Sequence, residues 1–301
     1  MISRAEPFEL TFSSGRKRAL DLLELTKPRL VLMVLISTCV GFYLGSGETL
    51  SYFRLIDTLI GTALAAGGTL ALNQLIERNS DALMERTRRR PLPEGRVQPV
   101  EALAVGVGLT AAGLALLAGT INVLSAVVTG LIVGSYLFIY TPLKQKSSLC
   151  GLVGAIPGAF PPMIGWAAAR GDLALGSWVL FAIMFCWQVP HTLAIARIYR
   201  ADFARAKIRF LPVIDEEGSR TGRHAVGYLA ALLVVSLLPT LLGLTGVVYG
   251  AVALFLGVAF LLCGVGLAAA RTAAAARRLL LASLIYLPVL LLVMAVDRIT
   301  L

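Results

Sequence analysis

Residues 73–96, NQLIERNSDALMERTRRRPLPEGR, hold ten charged side chains within a chain that is otherwise mostly apolar. About twenty apolar residues precede this stretch, and another apolar block opens near residue 100. That pattern reads as a charged loop between two helices that cross a bilayer. The rest of the chain supports this. It is 57% hydrophobic and 15% charged, against roughly 25% charged residues in an ordinary soluble domain, and its mean hydropathy is +0.82.

Nine apolar blocks long enough to cross a hydrocarbon core of ~30 Å fall at about 29–47, 57–76, 100–119, 122–140, 149–169, 174–195, 225–243, 247–269 and 279–296. They are continuous runs of Leu, Ala, Val and Gly without the two-residue alternation of a membrane barrel strand, so helices are expected. The predicted fold is an all-α integral membrane protein with nine transmembrane helices.

Lysine and arginine accumulate on the cytoplasmic side of such proteins. With the N-terminus placed in the cytoplasm, only Arg54, Arg170 and Arg298 of the 27 basic residues fall outside. The net charge of +10 is therefore a topology signal, which argues against nucleic acid as a partner and for the lipid bilayer. Residues 1–28 lack the apolar core of a cleaved secretory signal, and Glu6, Glu9, Asp21 and Glu24 argue against a mitochondrial transit peptide. They read as a cytoplasmic N-terminal segment ahead of one transmembrane domain, 29–301, in a bacterial inner membrane. Cys39, Cys150, Cys186 and Cys263 stand singly in apolar segments and read as buried small hydrophobes.

The loops are unequal. Outside turns are short, whereas the inside loops at about 77–99 and 196–224 are long and carry both signs of charge, with a third at 140–148 reading YTPLKQKSS. Asn73, Glu77 and Asp81 lie four residues apart, which places them on one face if the second helix runs past the interface. Two carboxylates and an amide suit Mg²⁺, which keeps several waters and is completed by substrate phosphates. Arg86 and Arg90, again four apart, offer guanidinium forks for phosphate oxygens. The competing reading is a set of local surface pairs, Glu77 or Asp81 with Arg78 and Glu85 with Arg89, each worth ~0–1 kcal/mol.

In the other loops Asp202 stands among Tyr199, Arg205 and Lys207, and Tyr140 lies four residues before Lys144, a lysine placed to reach a phosphate held between the longer loops. His191 follows Pro190 at the end of the sixth apolar block. It reads either as a satisfied interfacial side chain or as a haem-iron ligand or acid–base group. Asp215, Glu216 and Glu217 read as a solvated face.

The spacing Asn73-xxx-Glu77-xxx-Asp81 resembles the NxxxDxxxD motif of the UbiA-type prenyltransferases. Within that superfamily LTKPR (25–29), NQLIERNSDALMERTRRRPL (73–92), YTPLK (140–144), GAIPGAFPPMIGW (154–166), WQVPH (187–191) and DFARAKIRFLPV (202–213) resemble the haem-farnesylating branch, in that branch's order. The resemblance implies transfer of the farnesyl group of farnesyl diphosphate to a vinyl group of haem B, with addition of water. The product is haem O for haem-copper oxidase biogenesis, with haem A synthase a candidate partner. By position it implies that Asn73, Glu77 and Asp81 bind Mg²⁺-diphosphate, with Glu77, Asp81 and Asp202 as metal carboxylates. Arg86, Arg90, Lys144 and Tyr140 would hold diphosphate, and His191 would serve the haem side.

Three departures stand out: Glu77 for aspartate, Gln145 for a second basic residue, and AKIRFLPV for the usual GxPMLPV, with Arg209 in place of proline. An aromatic acceptor would need the same diphosphate site but no haem ligand, and a transporter would carry ionisable groups at mid-membrane. The Asp-Gly-xx-Ala-Arg signature of phosphatidyltransferases is absent.

Overall fold

A computed structural model of the protein describes residues 8–299, with side chains from residue 15 onward. Arg4 and Glu6 of the N-terminal segment lie outside the described residues, as does the side chain of Glu9. The first element is a helix that hydropathy does not single out, α1 (Phe8–Leu25). Among the described residues nine further helices are long and apolar enough to cross a membrane. They are α2 (Pro28–Gly45), α3 (Tyr52–Ala82), α4 (Pro99–Ile121), α5 (Val123–Leu143), α6 (Cys150–Arg170), α7 (Leu175–Ile198), α8 (Ser219–Leu241), α9 (Val247–Ala270) and α10 (Ala273–Val296). The expected all-α bundle with nine spans is therefore observed, and the protein is a multi-pass membrane protein. Large apolar side chains such as Phe138, Phe255, Leu262 and Leu281 face outward, where lipid would cover them.

The spans differ from the sequence expectation chiefly in length. At 1.5 Å per residue, the 31 residues of α3 extend about 46 Å, well beyond a hydrocarbon core of ~30 Å. The extra turns carry Asn73, Glu77 and Asp81 out to the rim as one continuous face. Span α6 is broken at Phe160, between Ala159 and Pro161. Pro161–Ala168 is buried throughout, and α6 packs on α2 so closely that a Cβ on Gly165 would fall 1.9 Å from the Thr38 carbonyl oxygen. The PPMIGW stretch is thus a helix-to-helix contact made possible by its glycine.

At the end of the bundle with short turns, backbone carbonyls are tied by side chains from neighbouring spans. Arg54 donates to the Ala168 carbonyl at 2.9 Å, and Asn122 to the Ala167 carbonyl at 2.8 Å. Arg298 donates to the Ser46 and Gly47 carbonyls and lies 4.6 Å from the Tyr43 ring centre.

The other end holds the long loops, and a small apolar cluster gathers them. Met84 from the first loop, Cys150 from the start of α6, Ala196 from the end of α7, and Phe203, Ala206, Ile208 and Phe210 from the last loop are all buried together, with Tyr140 and Leu143 packed against them. The Phe203 and Phe210 rings meet edge to face, 5.0 Å apart. A second cluster of Leu25, Ala71, Leu92, Val97 and Ala102 seats α1 and the end of the first loop on α3. Arg96 fastens the same seam through Asp21, Glu24 and the Arg89 carbonyl, and Arg18 does so through Glu101 and the Arg96 carbonyl.

Candidate active site

Loops gathered this way set acids on bases of the same loop and of its neighbours. The Lys144 ammonium pairs with the Glu77 carboxylate at 2.7 Å, and Arg90 pairs with Asp81 at 2.7 Å. Asp202 pairs with Arg205, whose guanidinium also stands 4.0 Å from Glu85. The local pairs anticipated from sequence, Glu77 or Asp81 with Arg78 and Glu85 with Arg89, do not form. Glu77 and Glu85 are instead held by bases from distant parts of the chain.

Burial explains why each acid keeps a partner. Asp81 is only 2% exposed and Asp202 9%, and an ionised carboxylate taken out of water without a counter-charge costs several kcal/mol. The turn after α3 is pinned by Thr87, which donates to the Asp81 carbonyl at 2.8 Å. That turn swings Arg90 back over the helix end it has just left. Lys144 sits 4.5 Å from the Tyr140 ring centre. Tyr140 in turn fits over Gly154, where a Cβ would fall 2.4 Å from the ring. Tyr140 therefore meets the site as the platform under Lys144. Burial alone would lower the pKa of Lys144, but Tyr140 and the Glu77 carboxylate hold it above its ordinary value.

Arg86 reaches the second loop, 5.5 Å from the Tyr199 ring centre and 6.0 Å from that of Phe203. Burial and the neighbouring Arg90 lower its pKa, against the pull of Asp81, Tyr199 and Asp202. Asn73 donates to the Thr141 hydroxyl at 3.1 Å, which ties α3 to the YTP loop.

One residue that sequence reasoning counted only as a topology charge joins this group. The Lys27 ammonium lies 3.4 Å from Asn73 Oδ1. Lys27 occupies the elbow between α1 and α2 at φ 49, a left-handed conformation that a non-glycine residue holds only under constraint. Gln74 supplies that constraint by donating to the Leu25 carbonyl at 2.7 Å. Burial first, then Arg90 and Lys144, bring Lys27 down to a pKa of about 7, opposed by Glu77 and Asp81. The signal that could have found it is the lysine directly ahead of a helix-opening proline, in a segment already singled out by resemblance.

The departures from the family pattern have physical counterparts. The Arg209 N–H donates to the Lys144 carbonyl at 2.7 Å, a bond that proline could not make, so the second loop is stitched directly to the YTP loop. Counted back from Pro212 and Val213, the pattern's glycine falls on Lys207, which sits at φ 56. Gln145 donates to the Ser80 hydroxyl at 2.8 Å. Asp215 is more than a solvated face, since it accepts from the Thr221 N–H and hydroxyl at 2.7 and 2.8 Å and so satisfies an N–H in the first turn of α8.

His191 stands apart. Its ring stacks on Trp187 with centres 4.7 Å apart and its Nδ1 lies 2.7 Å from the Ser283 hydroxyl of α10, so its contacts belong to the interior of the bundle. Among the described residues no three His, Cys, Asp or Glu side chains converge as a ready-made metal cage. Asp202 therefore does not complete a set with Glu77 and Asp81 as they stand.

Residues 34–291 match the model of the UbiA prenyltransferase family. The protoheme IX farnesyltransferase of Solibacter usitatus (strain Ellin6076) is 47% identical over 287 residues, covering 92% of this chain and 98% of that protein. The chain belongs to the UbiA prenyltransferase family. Solved structures agree on the UbiA fold. A digeranylgeranylglyceryl phosphate synthase superposes with a TM-score of 0.80 at 16% identity, covering 95% of this chain and 100% of that one. A UbiA homologue from Archaeoglobus fulgidus bound to GPP and Mg²⁺ superposes with a TM-score of 0.65 at 17% identity, covering 91% and 99%. All these relatives cover nearly their full lengths, so the UbiA match extends past residue 213, where the sequence motifs end, through α8, α9 and α10.

Proposed function

We propose that this protein transfers the farnesyl group of farnesyl diphosphate to a vinyl group of haem B, with addition of water, to give haem O. The reaction would take place at a charged rim facing the bacterial cytoplasm. The observation that carries the reading is the set of crossed pairs, Glu77 with Lys144 and Asp81 with Arg90, in a chain of this family. Each pair joins a carboxylate suited to a hard cation with a base suited to phosphate.

When bound with the diphosphate, Mg²⁺ would offset the negative charge that grows on the leaving group as the allylic C–O bond breaks. Glu77 and Asp81, one helical turn apart, fit such an ion, which takes one or two protein carboxylates and completes its shell with water and phosphate oxygens. Asp202 would join them on the facing loop. Lys144 and Arg90, released from their carboxylates, would turn to the diphosphate oxygens, with Lys27 and Arg86 at either side. The buried carboxylates would then exchange one positive partner for another and never stand uncompensated. Tyr140 keeps Lys144 in place, Asn73 fixes the YTP loop, and His191 serves the haem side inside the bundle. Haem A synthase, which would consume haem O, is the expected partner.

The test is purified protein with haem B, farnesyl diphosphate and Mg²⁺, followed by mass spectrometry with and without a chelator. Chelator-sensitive formation of haem O supports the reading. Product formed equally in excess chelator would remove the metal from it, and an aromatic acceptor consumed in preference to haem would overturn the acceptor.

A further inference from the structure

His191 is a titratable side chain that the acid–base rim does not use, yet its surroundings are closely determined. The Ser283 hydroxyl is fully buried and donates its single proton to the Leu280 carbonyl at 2.6 Å. Toward His191, 2.7 Å away, it can then act only as an acceptor. The proton of the neutral imidazole must therefore lie on Nδ1, and Nε2 carries the lone pair. Nε2 makes no hydrogen bond to a described residue and is not among the enclosed polar atoms lacking one, so its lone pair is left free for a ligand.

The ring plane is fixed as well. Trp187, one helical turn before His191 on α7, stacks against the imidazole with 21° between the planes. Its indole N–H donates to the carbonyl of the same Ser283 at 2.9 Å. One residue of α10 thus holds both aromatic side chains of α7, one by its hydroxyl and the other by its backbone.

We infer that Ser283 is a positioning residue that fixes His191 as the Nδ1–H tautomer, so that the Nε2 lone pair is presented to the iron of the haem acceptor. The inference rests on the haem reading above and assigns a place for the acceptor's iron within it. An imidazole that binds a metal through one nitrogen nearly always donates its other N–H to a fixed acceptor, and loss of that acceptor weakens binding by about 10–100-fold. Because Nε2 is already unprotonated, the iron–nitrogen bond forms by donation of the lone pair with no proton to remove. Threonine at 283 keeps the hydroxyl, whereas alanine removes it.

The experiment titrates haem B into the purified full-length protein, with no prenyl diphosphate present, and follows the Soret band and the EPR spectrum of the ferric complex. Binding of farnesyl diphosphate with Mg²⁺ to each variant serves as the folding control. The wild type should give an imidazole-ligated spectrum that His191→Ala loses and free imidazole restores. Ser283→Ala should bind haem about 10–100-fold more weakly with a shifted spectrum, and Ser283→Thr should match the wild type. A wild-type spectrum unchanged by His191→Ala overturns the iron assignment, and a Ser283→Ala spectrum and affinity equal to wild type overturn the positioning role. Haem O production by the wild type, measured in parallel, separates these failures from failure of the functional reading. Product formed with a His191-independent spectrum sinks this inference alone, and absence of both haem binding and product sinks both.

Discussion

The two ends of the bundle use arginine and lysine in opposite ways. At the short-turn end Arg54 and Arg298 are spent on backbone carbonyls of neighbouring spans, contacts that close the bundle, and the pair that Arg170 makes with Asp172 at 3.5 Å is exposed. At the loop end Lys144, Arg90 and Arg205 are each set on a carboxylate, and two of those carboxylates are more than nine-tenths buried. Basic residues held by neutral carbonyls have nothing to exchange. Basic residues held by carboxylates in a buried site have two sets of partners that a cation bound to an anion could satisfy at once. The contrast separates residues that hold the protein together from residues positioned to let go.

This contrast can be tested by substitution at both ends. The largest effect is expected from Asp81→Ala, which removes a proposed metal carboxylate: haem O formation should fall by about 10²–10³-fold or more, with the protein still inserted in the membrane. Undiminished product by mass spectrometry would break the site assignment. Lys144→Met should raise KM for farnesyl diphosphate by about 10–100-fold, since a hydrogen bond to a charged group is worth ~1.5–3 kcal/mol, with a smaller change in kcat, read by steady-state kinetics. Lys27→Met should act in the same direction but more weakly, by about tenfold, because its present contact, to Asn73, is longer. At the other end Arg54→Ala should leave kcat/KM within about twofold while lowering thermal stability by ~1–2 kcal/mol, seen as an earlier melting transition in detergent. An Arg54 variant that lost activity as severely as Lys144→Met would erase the distinction between the ends.

Much of the fold was legible in the sequence because a bilayer imposes a simple rule: spans must be apolar for about twenty residues. The nine spans follow from that rule, and the face formed by Asn73, Glu77 and Asp81 follows from helical periodicity once α3 runs beyond the membrane. What was not legible depends on neighbours distant in sequence. Glu77 meets Lys144, and Asp202 approaches Arg86, because Met84, Tyr140, Phe203 and Phe210 share one apolar cluster, and no spacing rule announces such a cluster. Helix α1 was missed because its run of Arg16, Lys17, Arg18, Asp21 and Glu24 hides the apolar face of Leu22 and Leu25 from a hydropathy scan. Lys27 was missed because its role comes from an elbow held by Gln74, and Ser283 because nothing in the ninth span marks it out.

The account turns on the exchange of partners at the loop end. Its most direct test is an experimental structure of the protein with Mg²⁺ and a non-reactive analogue of farnesyl diphosphate. The expected result is a diphosphate lying against Lys144, Arg90 and Lys27, with the Glu77 and Asp81 oxygens turned to the metal and both crossed pairs opened. A diphosphate bound at the short-turn end, or bound at the loop end with Lys144 still on Glu77 and Arg90 still on Asp81, would contradict it.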